Sequence, residues 1–305
     1  MKSCCAGSTQ NVLFSAKPLN FVNTPGFFGA DTLEFVTVPG GTFSMGSSDV
    51  DANPLDSEGP VRELELEGFE ISSTPVTNAQ FAKFTNETGY TTEAERAGWS
   101  FVFHLLVPQA AEVIGVSESA WWWQGVAGAS WRNPTGGTES DLDLSNHPAV
   151  HISYADALAF CEWGNFFLPI EEQWEKAARG GLKSNRFPWG NELLADNRWQ
   201  CNIFQGVFPG ENTAEDGFLG TSPVKSFRAN GFGGYDFSGN VWEWTASDFS
   251  PSSSVPLANR PKVTRGGSYL CHDSYCNRYR VSARNQTPQD SIAGNIGFRV
   301  ARGLS

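Results

Sequence analysis

The sequence predicts one large, loop-rich domain in which short strands and three helices pack around aromatic side chains. The chain of 305 residues contains 32 Gly and 17 Pro, about one residue in six, and this content favours turns over long regular elements. Its 23 Phe and 11 Trp supply the material for a large core. No fixed-period repeat and no low-complexity linker interrupts the sequence, so one domain fits better than two.

The strands predicted near the N-terminus follow an irregular extension. Residues 1–33 mix Gly, Pro, Ser and Asn, which predicts a loosely ordered segment before a domain spanning residues 34–305. The run LEFVTVPGGTFSMG, residues 33–46, predicts two strands joined by a Pro-Gly-Gly turn. After an acidic loop at residues 51–60, VRELELEGFEIS alternates apolar and polar residues, and we expect residues 61–72 to form one further strand.

Three segments carry the signals of helix ends. Thr77 can cap the segment NAQFAKFTNET, which Gly89 ends. Ser153 can cap YADALAFCEWG in the same way. Pro169 lies near the start of IEEQWEKAARGG, whose early acidic residues favour a helix N-terminus and whose final glycines close the helix. We expect these helices to support the core and assign them no chemical role.

Charge and hydropathy exclude two classes of protein. The formal net charge of −12 argues against nucleic-acid binding, because neutralising phosphates requires a basic surface. No apolar run of the roughly 18 residues needed to span a bilayer is present. The N-terminal residues also lack the apolar segment of a signal peptide. We therefore expect a soluble, cytoplasmic protein without a membrane partner.

Histidine and tryptophan each leave a structural alternative open. The chain has four His, and the spacing of His147 and His151 suits a metal site on a helix. Pro148 and the two apolar residues after it favour an extended segment instead, in which both histidines serve as structural hydrogen-bonding groups. The tryptophans at 121–123, with Trp131, could form a peptide-binding wall, although buried aromatics are commoner. So few histidines argue against an iron site with several His ligands.

Two loops have the composition of hard-cation sites. Residues 202–218 and 233–244 mix Asp, Glu, Asn and Gly without repetition. Calcium takes about six to eight oxygen ligands from carboxylates, amides and carbonyls, which such loops can supply. Ordinary turns have the same composition, so both interpretations stay open at this point.

The cysteines Cys271 and Cys276 are the clearest candidates for redox or metal chemistry. Their spacing places them on neither one face of a helix nor one face of a strand. They can meet only across a tight loop, as a disulfide, a soft-metal site, or a reactive thiol with its resolving partner. Cations near a thiol favour its thiolate form. The surrounding sequence is basic and contains Arg265, Arg278, Arg280 and Arg284.

The sequence around this pair resembles the C-terminal signature of formylglycine-generating enzymes, the sulfatase-modifying factors. The matching run, RGGSYLCHDSYCNRYRVSARNQTPQDSIAGNIGFRVA, covers residues 265–301. Further motifs follow the order of that family: VPGGTFSMG, TGYTTEAERAGWSFVFH, NHPAVHISYADALAFCEWG, EEQWEKAARGG, NIFQGVFP, TAEDGF and GNVWEW. The resemblance covers residues 34–302 and implies a single α+β domain with little regular secondary structure, distantly similar to C-type lectins.

The resemblance implies an oxidase that converts one cysteine of an unfolded sulfatase chain to Cα-formylglycine. The target cysteine lies in a C-x-P-x-R segment, molecular oxygen is the oxidant, and a thiol reductant supplies electrons. The cysteine pair of this family binds Cu(I), so the resemblance assigns the copper to Cys271 and Cys276. Sulfur is a suitable ligand because Cu(I) is a soft ion.

The resemblance alone assigns four other residues to the pocket. Ser268 and Tyr275 match positions that line the active site, and Trp242 matches an aromatic beside the metal and the substrate. Asn295 matches a pocket amide. We accordingly expect Ser268, Tyr275 and Trp242 to serve catalysis, and Trp242 and Asn295 to bind substrate.

The resemblance also implies two structural Ca²⁺ sites in the two acidic loops. The ligands of the first site are Asn202, Ile203, Asp216 and Phe218, with Ile and Phe acting through backbone oxygens. The ligands of the second site are Asp236, Gly239, Val241 and Glu243, with Gly and Val acting through carbonyls. Asp236 replaces the Asn found in relatives, but a carboxylate is an equally good oxygen ligand.

The cysteine positions indicate a reducing compartment. Secreted eukaryotic members carry structural disulfides, whereas Val281 and Val300 stand at two of those positions here. Cys161 matches a third but has lost its partner, and Cys201 is expected to be a small core residue like it. We therefore expect a prokaryotic type of member that is cytoplasmic and monomeric.

Two rival functions are less favoured. An iron-dependent sulfoxide synthase of the same superfamily would need several histidine ligands and usually carries a helical-bundle domain. A non-catalytic, lectin-like binding module would have no need of both Cys271 and Cys276.

Overall fold

The structure, a computed structural model, describes residues 33–137, 142–250 and 254–304. The predicted N-terminal extension therefore lies outside the described residues, apart from Leu33. Within these ranges there are four α-helices: α1 Asn78–Thr88, α2 Glu93–Ala97, α3 Tyr154–Gly164 and α4 Glu171–Arg179. The strands are β1 Phe35–Val38, β2 Gly41–Met45, β3 Arg62–Leu66, β4 Phe69–Ser72, β5 Trp99–Phe103, β6 Val113–Val116, β7 Trp123–Ala127, β8 Leu194–Ala195, β9 Arg198–Trp199, β10 Gly206–Val207, β11 Glu211–Asn212, β12 Trp242–Asp248, β13 Lys262–Arg265, β14 Arg284–Thr287, β15 Ile296–Phe298 and β16 Ala301–Gly303.

The three predicted helices are confirmed, and a fourth is added. Thr77 and Ser153 form capping boxes at the starts of α1 and α3, because each hydroxyl accepts a backbone N–H in the first turn. Gly89 ends α1 in the left-handed conformation. The added helix, α2, is only five residues long, too short for a periodic pattern, yet Thr92 caps it through the same signature.

The prediction of one strand over residues 61–72 is wrong. The segment forms two strands, β3 and β4, that belong to different sheets. β3 pairs with β2, whereas β4 lies between β1 and β16. The apolar positions change phase at Gly68, from Leu64 and Leu66 to Phe69 and Ile71, so the pattern marks a break there but does not show that the two strands join different sheets.

A four-stranded sheet supports the cysteine segment. Its order is β14-β13-β12-β15, and β12 runs antiparallel to β13 but parallel to β15. The long connection between β13 and β14, residues 266–283, carries both cysteines. Because β12 lies between β13 and β15, it brings the residues at its own start next to those that precede β15.

Aromatic side chains fill the core, as predicted. Trp123, Trp174, Trp242 and Trp244 are fully buried. Phe81 packs edge-on against Trp131, with ring centroids 5.1 Å apart, in the layer beneath α1 and α3. The observed mixture of short helices, short strands and long loops confirms the predicted α+β class.

Candidate active site at the paired cysteines

Cys271 and Cys276 meet across a tight loop. Their Sγ atoms lie 3.1 Å apart, a separation longer than the ~2.05 Å of a disulfide bond. Only 1% and 5% of the two residues is exposed. The pair is therefore a two-sulfur site set within the protein rather than two thiols on its surface.

The backbone of this loop sets the separation of the sulfurs. The carbonyl oxygen of His272 accepts hydrogen bonds from the N–H groups of Tyr275 and Cys276, at 3.0 and 2.7 Å. The N–H of Cys271 donates to the carbonyl of Ser268 at 2.9 Å. The N–H of Ser268 in turn donates to the Cys271 sulfur at 3.4 Å. Main-chain groups thus hold one sulfur and turn the chain back toward the other.

A glycine pair allows the chain to return beside the loop. Gly266 and Gly267 have φ angles of 94° and 74°, which favour glycine. A Cβ on Gly267 would lie 2.9 Å from the carbonyl oxygen of Arg278. Any other side chain at this position would therefore push apart the two segments that flank the cysteines.

Ser268, Asn295 and Trp242 form a buried polar wall, although they come from three separate segments. Asn295 Nδ2 donates to Ser268 Oγ at 3.1 Å, and the backbone N–H of Trp242 donates to the carbonyl of Asn295 at 2.8 Å. Among the described residues, Trp242 Nε1 and Asn295 Oδ1 have no hydrogen-bond partner. Buried polar atoms without partners cost free energy, so this donor and this acceptor are suited to a bound molecule.

Tyr275 lies in an aromatic cluster beside the cysteines. Its ring stacks on that of Phe208, with ring centroids 4.8 Å apart, and meets the ring of Trp122 edge-on, with centroids 5.2 Å apart. Trp121 contacts Trp122 at 6.0 Å and is 56% exposed, whereas Trp123 is fully buried. The sequence left open whether the three consecutive tryptophans form a peptide-binding wall or part of the core. One ring, that of Trp123, lies in the core, and the other two lie beside the site.

The four arginines near the cysteines are each paired with a carboxylate. These carboxylates belong to α4 and to the acidic loop at 51–60. Arg265 pairs with Glu175 and Glu171, Arg284 with Glu171, Arg278 with Asp56, and Arg280 with Glu58. Formal charge counted along a sequence does not show which charges are already paired in the fold.

The remaining described cysteines are core residues, as predicted. Cys161 and Cys201 are buried, and burial raises the pKa of both thiols above its usual range. Such thiols are protonated and unreactive at neutral pH. Val281 and Val300 are fully buried apolar residues.

The loop predicted to form the first calcium site brings its four residues together. The Asp216 carboxylate accepts hydrogen bonds from the N–H groups of Ile203 and Phe218, both at 2.9 Å. Asn202 Oδ1 is buried and has no partner within the described residues. Gln205, which sequence reasoning missed, donates to both Asp216 Oδ2 and the carbonyl of Ile203. A buried amide oxygen without a partner, in the same loop as a half-buried carboxylate, fits the needs of a hard cation.

The second predicted calcium site fits less well. Arg299 binds both carboxylate oxygens of Glu243, at 2.6 and 2.7 Å, and Trp174 Nε1 donates to one of them at 2.5 Å. This side chain is therefore not available as a cation ligand. Asp236 accepts a backbone hydrogen bond from Lys225 at 3.0 Å, and burial raises its pKa to about 6.

The backbone at the second loop is joined to the first loop. The carbonyl of Asn202 accepts the N–H of Asn240 at 2.8 Å, and Gly239, at φ 74°, forms a bridge to Asn202. A Cβ on Gly239 would lie 2.1 Å from that carbonyl oxygen. Gly239 and Val241, on either side of Asn240, therefore lie in a backbone segment that contacts the first site at Asn202.

The two histidines of the NHPAVHIS segment have structural roles in this fold, as predicted. His147 Nδ1 lies 2.9 Å from Thr221 Oγ1, and His151 is hydrogen-bonded through both ring nitrogens, to Ser100 and to the carbonyl of Pro134. Burial lowers the pKa of His151 to about 4. Across the described part of the chain, no three His, Cys, Asp or Glu side chains converge as a metal cluster.

Sequence reasoning missed the partners of the predicted site residues more than the residues themselves. Phe208 and Trp122 flank Tyr275 from distant parts of the chain, and nothing in the local pattern links them. Their membership of aromatic-rich motifs was the one available signal.

No helix within the described ranges has the length and apolar character to cross a membrane.

The chain is similar in sequence to several known proteins. Residues 28–304 match the sulfatase-modifying factor enzyme 1-like domain. The chain is 50% identical to the formylglycine-generating enzyme of Thermomonospora curvata, over 87% of this chain and 92% of that protein. It is 51% identical to the enzyme of the same name from Streptomyces coelicolor, over 87% and 88% of the two chains.

The chain is also similar to a relative named as inactive and to a solved structure of low sequence identity. The chain is 43% identical to the inactive Cα-formylglycine-generating enzyme 2 of Bos taurus, over 89% of each chain. Among solved structures, PvdO from Pseudomonas aeruginosa has a TM-score of 0.66 and 23% identity, and the match covers 90% of this chain and 95% of that one. The latter similarity supports the fold only.

Proposed function

Because the chain belongs to the sulfatase-modifying factor enzyme 1-like family, we propose that it is a formylglycine-generating oxidase. Its substrate is the cysteine of a C-x-P-x-R segment in an unfolded sulfatase chain. The observation that carries the proposal is the buried two-sulfur site, with Sγ atoms 3.1 Å apart. Family membership alone is not sufficient, since the family includes a relative named as inactive.

The reaction needs molecular oxygen and two equivalents of a thiol reductant. The substrate CH₂–SH group loses two hydrogens to become a thioaldehyde, while oxygen is reduced to two waters and the two reductant thiols form a disulfide. Water then adds to the thioaldehyde and hydrogen sulfide leaves, which gives the aldehyde. Cu(I) bound by the two sulfurs would supply the one-electron chemistry that activates oxygen.

The residues around the sulfurs have complementary roles in this proposal. Cys271 and Cys276 hold the soft ion, and burial keeps competing water away from it. Trp242 Nε1 and Asn295 Oδ1 offer a donor and an acceptor to the substrate. Ser268, fixed by Asn295, lies beside the Cys271 sulfur and orients small oxygen species or water.

The surrounding aromatic cluster completes the site. Tyr275, stacked on Phe208, forms the side that the substrate chain approaches. The acidic loop at 202–218 holds a structural Ca²⁺ through Asn202, Asp216 and backbone oxygens of Ile203 and Phe218. We propose that the protein acts as a cytoplasmic monomer.

Substitution of the two cysteines tests the proposal. A short C-x-P-x-R peptide is incubated with the protein, Cu(I), oxygen and a thiol, and mass spectrometry follows loss of sulfur and gain of an aldehyde. Cys271→Ser and Cys276→Ser should each abolish aldehyde formation, while Cys161→Ser, a buried thiol in α3, should retain it. Full turnover in both site variants would refute the mechanism, and no turnover in the unaltered protein would refute the function.

A further inference from the structure

Strand β6 presents an apolar edge that no other described strand covers. It lies at the end of the three-stranded sheet β5-β7-β6, and its outer edge has no strand partner among residues 33–137, 142–250 and 254–304. All four of its residues are exposed, including Val113, Ile114 and Val116 at 44%, 51% and 53%. An exposed apolar strand edge can pair with another extended chain, and folded proteins usually blunt it with charge, proline, short length or a bulge. β6 has only four residues and shifts its register against β7 between Val113 and Gly115, but none of its residues is charged or a proline.

This edge is continuous with the aromatic cluster beside the cysteines. The N–H of Ser117, directly after β6, donates to the carbonyl of Trp123 at 2.9 Å. The neighbouring Trp122 contacts Tyr275. Further large apolar residues around the cluster are exposed, and they are Leu105, Trp121 and Val207, at 43%, 56% and 68%. We call these three residues and β6 the apolar strip.

We propose that the outer edge of β6 binds, as an added β-strand, the polypeptide that flanks the target cysteine of the substrate. This inference rests on the proposed function, which requires an unfolded and therefore extended chain with unpaired backbone groups. Main-chain hydrogen bonds along a strand edge bind such a chain with little dependence on its sequence. The apolar strip would then receive alternate side chains of the flank.

The distances in the fold allow one chain to occupy both places. Neighbouring strands lie about 4.8 Å apart, so an added strand would run about 10 Å from β7, whose first residue follows Trp122. An extended chain advances about 3.3 Å per residue, so a flank of ten residues extends about 33 Å from the target cysteine. A short peptide that ends near the motif would not reach it.

The proposal predicts an advantage for long substrates that depends on β6. We expect a peptide extended by about ten residues on each side of C-x-P-x-R to have a KM about tenfold lower than the short peptide, equivalent to about 1.4 kcal/mol. Val116→Lys should remove most of that advantage and leave turnover of the short peptide within about twofold, because a lysine on the edge opposes strand addition. Ile114→Lys provides a second variant, and Leu257→Lys, an exposed leucine outside the apolar strip, is the matched control.

Two further measurements make the outcomes distinct. Fluorescence anisotropy with a long peptide carrying Ser in place of the target Cys measures binding without chemistry, so the edge can be tested even if no aldehyde forms. A long peptide with N-methylated alternate flanking amides should bind about as weakly as the short one, because it lacks the required backbone donors. An unchanged ratio of long to short affinity in both lysine variants would overturn the inference. A dimer that Val116→Lys converts to a monomer would overturn it as well, since the edge would then belong to a second copy of this chain.

Discussion

Glu58 and Arg280 form a buried, two-point ion pair across 222 positions of the chain. Arg280 Nη1 lies 2.6 Å from Glu58 Oε2, and Nη2 lies 2.7 Å from Oε1. Both side chains are fully buried, and Ser282 Oγ donates to the same carboxylate at 2.9 Å. Arg280 follows Cys276 by four residues, so the pair fastens the far side of the cysteine loop to the acidic loop at 51–60.

Replacing Glu58 by Gln should lower the free energy of unfolding by about 3–5 kcal/mol, because the buried Arg280 charge loses its two-point partner and keeps only the more distant Asp51 carboxylate, 4.0 Å from its Nε. Urea unfolding followed by circular dichroism measures the change. The control is Asp196→Asn, which breaks an exposed pair with Arg228 and should cost less than about 1 kcal/mol. Equal losses in the two variants would show that the buried pair contributes no more than a surface pair.

Asp156 should make stability depend on pH between about 4 and 7. Its carboxylate accepts bonds from Ser153 and Tyr90 at 2.9 Å, but burial raises its pKa to about 6. The value in an unfolded chain is about 3.9. Because the pKa of Asp156 is higher in the folded state, protonation of this carboxyl stabilises the fold. That stabilisation is fully present below about pH 3.9 and is lost as pH rises through about 6.

The comparison of Asp156→Asn with the unaltered protein isolates this effect. A shift of roughly two pH units corresponds to about 3 kcal/mol, so the stability advantage of the unaltered protein over the variant should shrink by about that amount from pH 4 to pH 7. Chemical unfolding at a series of pH values provides the measurement. A difference that stays constant with pH would contradict the assignment.

Asp216 should couple calcium to stability. Calcium at about 100 times its dissociation constant should stabilise the fold by about 2.7 kcal/mol, and Asp216→Asn should lose most of this gain. Burial raises the pKa of Asp216, so the calcium effect should weaken as pH falls. Thermal unfolding with calcium and with a chelator tests both expectations. Glu215→Gln, an exposed neighbour, should respond as the unaltered protein does, and an identical loss in both variants would argue against a site at Asp216.

Local signals predicted the helices and the cysteine loop well, because their causes are local. A hydroxyl three residues before a glutamine or an aspartate fixes the starts of α1 and α3. The five-position spacing of Cys271 and Cys276 predicts that any contact between them crosses a tight turn, as the structure shows. The division of residues 61–72 into β3 and β4 depends on partners from opposite ends of the chain, such as β16. The change of phase at Gly68 marks the break, but no short window of sequence shows which sheet each strand joins.

The ion pairs around the site could not be predicted from the sequence for the same reason. Four arginines near the thiols suggested a positive environment, but their counter-ions, such as Glu58 and Glu175, lie 90 to 222 positions away in the sequence. Family resemblance supplied Asn295 and Trp242, which pattern alone would not have selected. The resemblance did not predict the role of Arg299, whose guanidinium is hydrogen-bonded to both oxygens of the Glu243 carboxylate.

The parallel pairing of β12 with β15 has a consequence for synthesis. Asn295, which completes the polar wall, immediately precedes β15, and the final strand β16 closes the sheet that holds β4. A nascent chain therefore carries its two thiols for some time before the residues that enclose them leave the ribosome. During that interval the thiols are chemically present but unprotected, and a chain truncated at residue 294 would keep them permanently in that condition.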